Sequence, residues 1–228
     1  MKAKEVWVKA SLRLPPNILG VTEDVLLELG RLVEMALSDA LIALDRHDLT
    51  LADKVVRGDL EINRLRYQVE EQITRRLAGS EAADARWMVA ALYVISELER
   101  MGDHAEGIAK VTLMLGPNPS LSVPTVIGDM GSLTISMVGR ALAALNKRDV
   151  KAARAVCRED DEIDALYDRA YQELISMMVS DQRRITEATY MIWVTHNLER
   201  IADRATNICE RVVYLATGHV EELNVSKY

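Results

Sequence analysis

Leu98-Glu99-Arg100-Met101-Gly102-Asp103-His104-Ala105-Glu106-Gly107-Ile108 returns one hundred residues later as Leu198-Glu199-Arg200-Ile201-Ala202-Asp203-Arg204-Ala205-Thr206-Asn207-Ile208. Leu, Glu, Arg, Asp, Ala and Ile are kept at matched positions, and each copy holds a Glu-x-x-x-Asp pair. Residues four apart share one helix face, so each pair presents two carboxylates side by side. At about 100° per residue, Met88, Ala91, Ile95, Leu98, Gly102 and Ala109 form one apolar stripe. Glu99 falls inside that stripe and Asp103 at its border. Met191, Thr195, Leu198, Ala202 and Cys209 make the corresponding stripe in the second copy, with Glu199 inside it. Inward-facing acids need a positive partner.

The repetition extends well beyond this stretch. At an offset of 101, Ala40-Leu41 matches Ala141-Leu142, Asp48 matches Asp149, Asp59 matches Asp160, Glu61-Ile62 matches Glu162-Ile163, and Leu65 matches Leu166. Helical patterns run from Thr22 to about His47, from Asp48 to about Ala78 and from Glu81 to Leu115. They run again from Thr125 to Arg148, from Asp149 to Val179 and from Ser180-Asp181 to Thr217. Thr22, Asp48 and Asp149 read as N-caps, Gly218 as a C-cap, and Gly116-Pro117-Asn118-Pro119-Ser120 as a linker. The duplication defines an all-α chain of two tandem antiparallel three-helix bundles with six long helices. Its parts are an extension (1–21), a first repeat (22–115), a linker (116–124), a second repeat (125–217) and a tail (218–228). In the extension, Val6, Val8, Ala10, Leu12 and Leu14 alternate with Trp7, Lys9, Ser11 and Arg13, which suggests a short strand.

Composition narrows the function classes. The 228 residues are 49% hydrophobic with a net charge of −7, and the basic residues form no patch in sequence, which argues against a nucleic-acid partner. The longest apolar run, Trp87 to Ile95, is far short of a membrane span. No signal peptide is evident, and Cys157 and Cys209 lie in helical patterns outside any CxxC motif. Both features point to a reducing, cytoplasmic location. Neither a phosphate-binding Gly-rich loop nor a nucleophile motif occurs, so no turnover chemistry is expected.

The matched Asp59 and Asp160 also face inward, beside Val55 and Ile62 and beside Val156 and Ile163. Four residues on, the first repeat has Asn63 where the second has Asp164. If the middle and last helices pack together, Asp59, Glu99 and Asp103 converge in one repeat. In the other, Asp160, Asp164, Glu199 and Asp203 converge. Such oxygen sets suit Mg²⁺, Mn²⁺ or iron. Neither Glu99 nor Glu199 is followed by the His that di-iron oxidase bundles require. The alternative is a carboxylate network paired with Arg66, Arg86 or Arg100. His47, His104, His196 and His219 do not repeat and read as surface or packing residues.

Leu98 to Ala105, its echo Leu198 to Ala205, Asp160-Asp161-Glu162-Ile163-Asp164 and Ala83-Asp84-Ala85-Arg86 resemble the signature motifs of the PhoU family over about residues 22–217. The resemblance implies two three-helix bundles and E(D)xxxD carboxylates binding multinuclear iron or zinc, with Mg²⁺ or Mn²⁺ as alternatives. It also implies a homodimer that negatively regulates phosphate uptake and phosphate-starvation signalling. The implied partners are a phosphate transporter ATPase subunit and a sensor histidine kinase, with membrane contact only through partners. Asn63 departs from the acidic pattern and weakens the first-repeat set. A PhoU-like module of another ion transporter or channel, or a helical metal-storage protein, are the competing functions.

Overall fold

The computed structural model describes residues 16–77 and 82–223. The alternating segment between Val6 and Leu14 and the Gly79-Ser80 break lie outside the described residues. Seven α-helices account for nearly all the rest: α1 (Pro16–Arg46), α2 (Leu49–Leu77), α3 (Ala82–Leu115), α4 (Thr125–Lys147), α5 (Val150–Cys157), α6 (Asp160–Ser180) and α7 (Ile185–Thr217). One 3-10 turn, Gln182–Arg184, precedes α7. Helices α1 to α3 make one three-helix bundle and α4 to α7 the other. The two share one continuous core, with α3 lying along α7 and α1 against α4.

The duplication is visible in backbone geometry. His47 and Arg148, matched by the offset of 101, both adopt left-handed φ of 53°. The next residue in each copy closes the same turn: Asp48 N–H donates to Ala43 O and Asp149 N–H to Ala144 O, each at 2.9 Å. This is the reversal by which helices commonly end. Each Asp then caps the following helix. Asp48 Oδ1 accepts from Thr50 and Leu51 N–H, and Asp149 Oδ1 accepts from Ala152 N–H. Gly218, at φ 77°, closes α7 in the same left-handed way.

Two expectations are corrected. Thr22 does not start the first helix, because α1 already begins at Pro16, where proline's fixed φ and missing donor suit a first turn. The 1–21 extension therefore gives way to helix before residue 22. The middle helix of the second repeat is not continuous either. It breaks at Arg158-Glu159, where Glu159 N–H turns back to Val156 O at 3.0 Å. The cause is a tether: both guanidinium arms of Arg140, on α4, grip the Glu159 carboxylate. The matched residue in unbroken α2 is Gly58, whose missing side chain offers nothing to hold. The break puts Asp160 in the first turn of α6, where the positive end of the helix favours acids.

Candidate metal centre

In the first repeat the site forms where α2 crosses α3. Val55 and Ile62 anchor α2 in the core, which carries the intervening Asp59 to the seam. Gly102 lets the helices close. A Cβ there would stand 3.0 Å from Ile62 Cδ1 and 3.5 Å from Asp59 Oδ1. Asp59 Oδ1 is buried and accepts no hydrogen bond, while Oδ2 accepts from Asn63 Nδ2 at 2.6 Å. Burial pushes the Asp59 carboxyl up to about 6, reinforced by Asp103, Glu106 and Glu99 and opposed by Lys110. Glu99 is mostly buried and paired: Arg66 Nη1 donates to its Oε1 at 3.0 Å. Asp103 lies exposed at the rim. Of the three arginines considered as counter-charges, Arg66 alone takes that role. Arg100 is exposed, and Arg86 packs against Gly218 at the end of α7.

The second repeat builds the equivalent seam between α6 and α7. Asp160 is 4% exposed. Glu199 Oε2 is buried without a hydrogen-bond partner, with the Arg200 guanidinium Nε standing off at 3.5 Å and the His196 ring Nδ1 at 3.9 Å. Burial pushes the Glu199 carboxyl up to about 7, helped by Asp203, Asp164 and Asp160. Asp203 is raised by burial, against Arg200 and Arg204. Arg200 Nη1 reaches Asp203 Oδ2 only at 3.4 Å.

Seven acids named from sequence thus gather in two groups, one per repeat, close enough to shift each other's protonation. Among the described residues no three His, Cys, Asp or Glu side chains stand at ligating distance as placed. The orphaned oxygens of Asp59 and Glu199 are what fit a bound cation. Carboxylates crowded with like charges, each with a buried oxygen lacking a donor, are stabilised by a positive ion in reach. The thiols take no part. Cys157 and Cys209 are buried and unbridged, and contact with Cys157 together with burial holds the Cys209 thiol far above its usual range.

Sequence reasoning missed a polar set at the α3–α7 crossing. Glu97, 3% exposed, accepts from Arg204 Nη1 at 3.2 Å and from Asn207 Nδ2 at 3.1 Å. The matched residues repeat the arrangement in reverse. Asn197 Oδ1 lies 2.9 Å from His104 Nδ1, and Gly107 leaves it room. His104, first read as a surface or packing residue, is a half-buried partner in this contact. Its available signal was the apolar content of α3 on more than one face, Ala90 and Val94 as well as Ala91 and Leu98, which marks a helix packed from two sides.

Comparison with known proteins identifies both repeats. The PhoU domain matches residues 26–112 and again 127–212. A phosphate-specific transport system accessory protein PhoU homolog from Clostridium acetobutylicum is 33% identical over 202 residues, covering 87% of this chain and 92% of that protein. One from Streptococcus pneumoniae is 35% identical over 204 residues, 89% and 94% of the respective chains. The crystal structure of PhoU from Pseudomonas aeruginosa superposes with a TM-score of 0.85 at 34% identity, over 89% of this chain and 98% of that one. The phosphate transport system regulatory protein PhoU from Streptococcus pneumoniae gives 0.83 at 34% identity, over 89% and 96%.

Proposed function

The chain belongs to the PhoU family, and from that membership we propose that it is a regulatory accessory protein of phosphate transport. It lowers phosphate uptake and phosphate-starvation signalling when phosphate is plentiful, working by contact rather than catalysis. Its partners are the ATPase subunit of a phosphate transporter and a sensor histidine kinase, and it acts as a homodimer in the cytoplasm. The observation that carries this reading is the doubled PhoU domain spanning most of this chain, together with relatives named as phosphate-specific transport system accessory proteins. Helices with acidic surfaces and apolar anchors suit such contacts: Met35, Leu60, Tyr67, Met114 and Trp193 are all exposed. No described helix is long and apolar enough to cross a membrane, so membrane association runs through the partners.

Metal is held at the E(D)xxxD carboxylates. Asp160, Asp164, Glu199 and Asp203 would bind it in the second repeat. Asp59, Glu99 and Asp103 would bind it more weakly in the first, where Asn63 adds no charge. The family resemblance implies iron or zinc, while the all-oxygen donor set by itself suits Mg²⁺ or Mn²⁺. When bound there, an ion would supply positive charge between the carboxylates of the middle and last helices of a repeat. The function is tested by capture from phosphate-replete lysate with the tagged chain. Recovery of a phosphate transporter ATPase or a histidine kinase is expected. Recovery of another transporter's ATPase would reassign the module, and recovery of nucleic acid alone would refute the reading.

A further inference from the structure

The seam between α1 and α4 is built from reciprocal contacts. A Cβ at Gly30 would stand 2.8 Å from Leu142 Cδ1, and one at the matched Gly131 would stand 2.8 Å from Leu41 Cδ1. Each helix thus sinks a leucine into the other's glycine. The symmetry fails at Glu34, which stands where the second repeat has Ile135. Its Oε1 lies 2.7 Å from where a Cβ of Gly139 would be, and burial holds its carboxyl above the usual range. Among the described residues no donor or cation pairs with it. Nearer the start of α1, the same two helices border an apolar cleft lined by Leu26, Leu27, Trp87, Ala91, Leu145 and Leu215. The groove therefore presents apolar surface first and a lone half-buried acid about two turns further on. It fits an apolar segment that ends in a cation.

Residues 1–15 have that composition and join the right helix. Val6, Val8, Ala10, Leu12 and Leu14 alternate, and Lys4 continues the same parity, so an extended chain carries all six on one face. The segment holds Lys2, Lys4, Lys9 and Arg13 against Glu5 alone, and it lies ahead of the residues matched to the PhoU domain. Pro15-Pro16 keeps α1 from running further back, because a residue before proline is turned from helical to extended. Leu27 comes about 16 Å and Glu34 about 27 Å along α1 from Pro16. The twelve residues back to Lys4 span up to about 40 Å when extended, which leaves about 10 Å for a reversal. That register sets Val6 and Val8 level with the apolar cleft when Lys4 is level with Glu34. We propose that residues 1–15 double back along α1 and dock in the α1–α4 groove of their own chain, with Lys4 against Glu34 and Val6 and Val8 over Leu27 and Leu145. The arm then shields this seam between the repeats from other proteins.

The test is cross-linking of the full chain with a water-soluble carbodiimide, which joins an amine to a carboxylate in contact, read by peptide mass spectrometry from the monomer band. The pair of Lys110 with Glu106, at 2.5 Å, is the internal control. A link from Lys4 to Glu34 is expected within the monomer. Glu34→Lys should lose it, and the reversed pair of Lys4→Glu with Glu34→Lys should regain a link between the same two positions. Deleting residues 2–15 should raise the fluorescence of an apolar dye, since a docked arm covers the cleft, whereas an arm in solvent would itself bind dye and its removal would lower the signal. The control link without the Lys4 link overturns the proposal, as do Lys4 links only to acids of another face, such as Asp168 on α6. A Lys4–Glu34 link confined to a covalent dimer also overturns it and seats the arm on a second copy. So does a shortened chain that binds no more dye than the full one.

Discussion

Arg204 extends from the second repeat to donate to Glu97 of the first at 3.2 Å, and the matched pair Asn197 and His104 makes the reverse contact at 2.9 Å. The two repeats therefore meet through a local pseudo-twofold, with polar groups set into an otherwise apolar seam. Removing Arg204 leaves the Glu97 carboxylate buried with only an amide beside it. Arg204→Met is expected to cost about 3 kcal/mol, read by urea unfolding. Glu97→Gln, which keeps hydrogen bonding without the charge, is expected to cost less. Equal stability of Arg204→Met and wild type would show that the seam does not depend on this pair.

The raised carboxyls fix a direction for pH dependence in metal-free protein. Glu199 titrates at about 7 and Asp59 at about 6, both above their ordinary values of 4.5 and 3.8. A group that holds its proton more tightly when folded makes stability rise as pH falls through the folded value toward the unfolded one. In chelator, stability should increase from pH 7.5 to about pH 5, and Glu199→Gln should flatten that rise. Below that range the depressed carboxyls of Glu159 and Glu187, held low by Arg140 and by Ser120, begin to lose their partners. A melting temperature that falls steadily from pH 7.5 to 5 would contradict the burial of Glu199 and Asp59.

Two glycines respond in opposite senses. Gly102 has Ile62 at 3.0 Å from where its Cβ would lie, so Gly102→Val should cost about 1–3 kcal/mol by forcing α2 from α3. Gly58, mid-helix in α2 with open space around it, should gain about 0.5–1 kcal/mol on substitution by Ala. Thermal melts of the two variants check both signs.

Much of this architecture could be read from residues alone because duplication doubles every signal. Ala40-Leu41, Asp48, Ile62 and Leu65 each have an echo, and the periodicities agree on three helices per repeat. The helix break at Arg158-Glu159 was not legible, since it depends on Arg140 of another helix gripping Glu159. The start of α1 at Pro16 was hidden behind the stronger capping signal of Thr22. At the acid seam, wheel geometry turned Asp59 and Glu99 inward. It could not show that Arg66 rather than Arg86 or Arg100 meets them, because which cation arrives depends on how α2 lies against α3. Glu97 escaped notice because one stripe was assigned to α3, which packs on two sides.

Metal should discriminate the repeats. Asp203→Asn removes one charge from the set of Asp160, Asp164, Glu199 and Asp203, which Arg200 approaches no closer than 3.4 Å, so it should lose metal and forfeit the rise in melting temperature that metal gives wild type. Asp103, exposed at the rim beside Lys110 and Arg66, belongs to the weaker set, and Asp103→Asn should lose less metal. Elemental analysis and melts with and without chelator compare them. Equal loss in both variants would assign metal to both seams.

The most direct measurement is starvation-gene expression at high phosphate in a bacterium whose own PhoU has been deleted and which carries this chain instead. Regulation of phosphate transport by this protein predicts that repression returns to near the level of the parent strain. Expression that stays high, with the chain folded and present at the level of the protein it replaces, would contradict it.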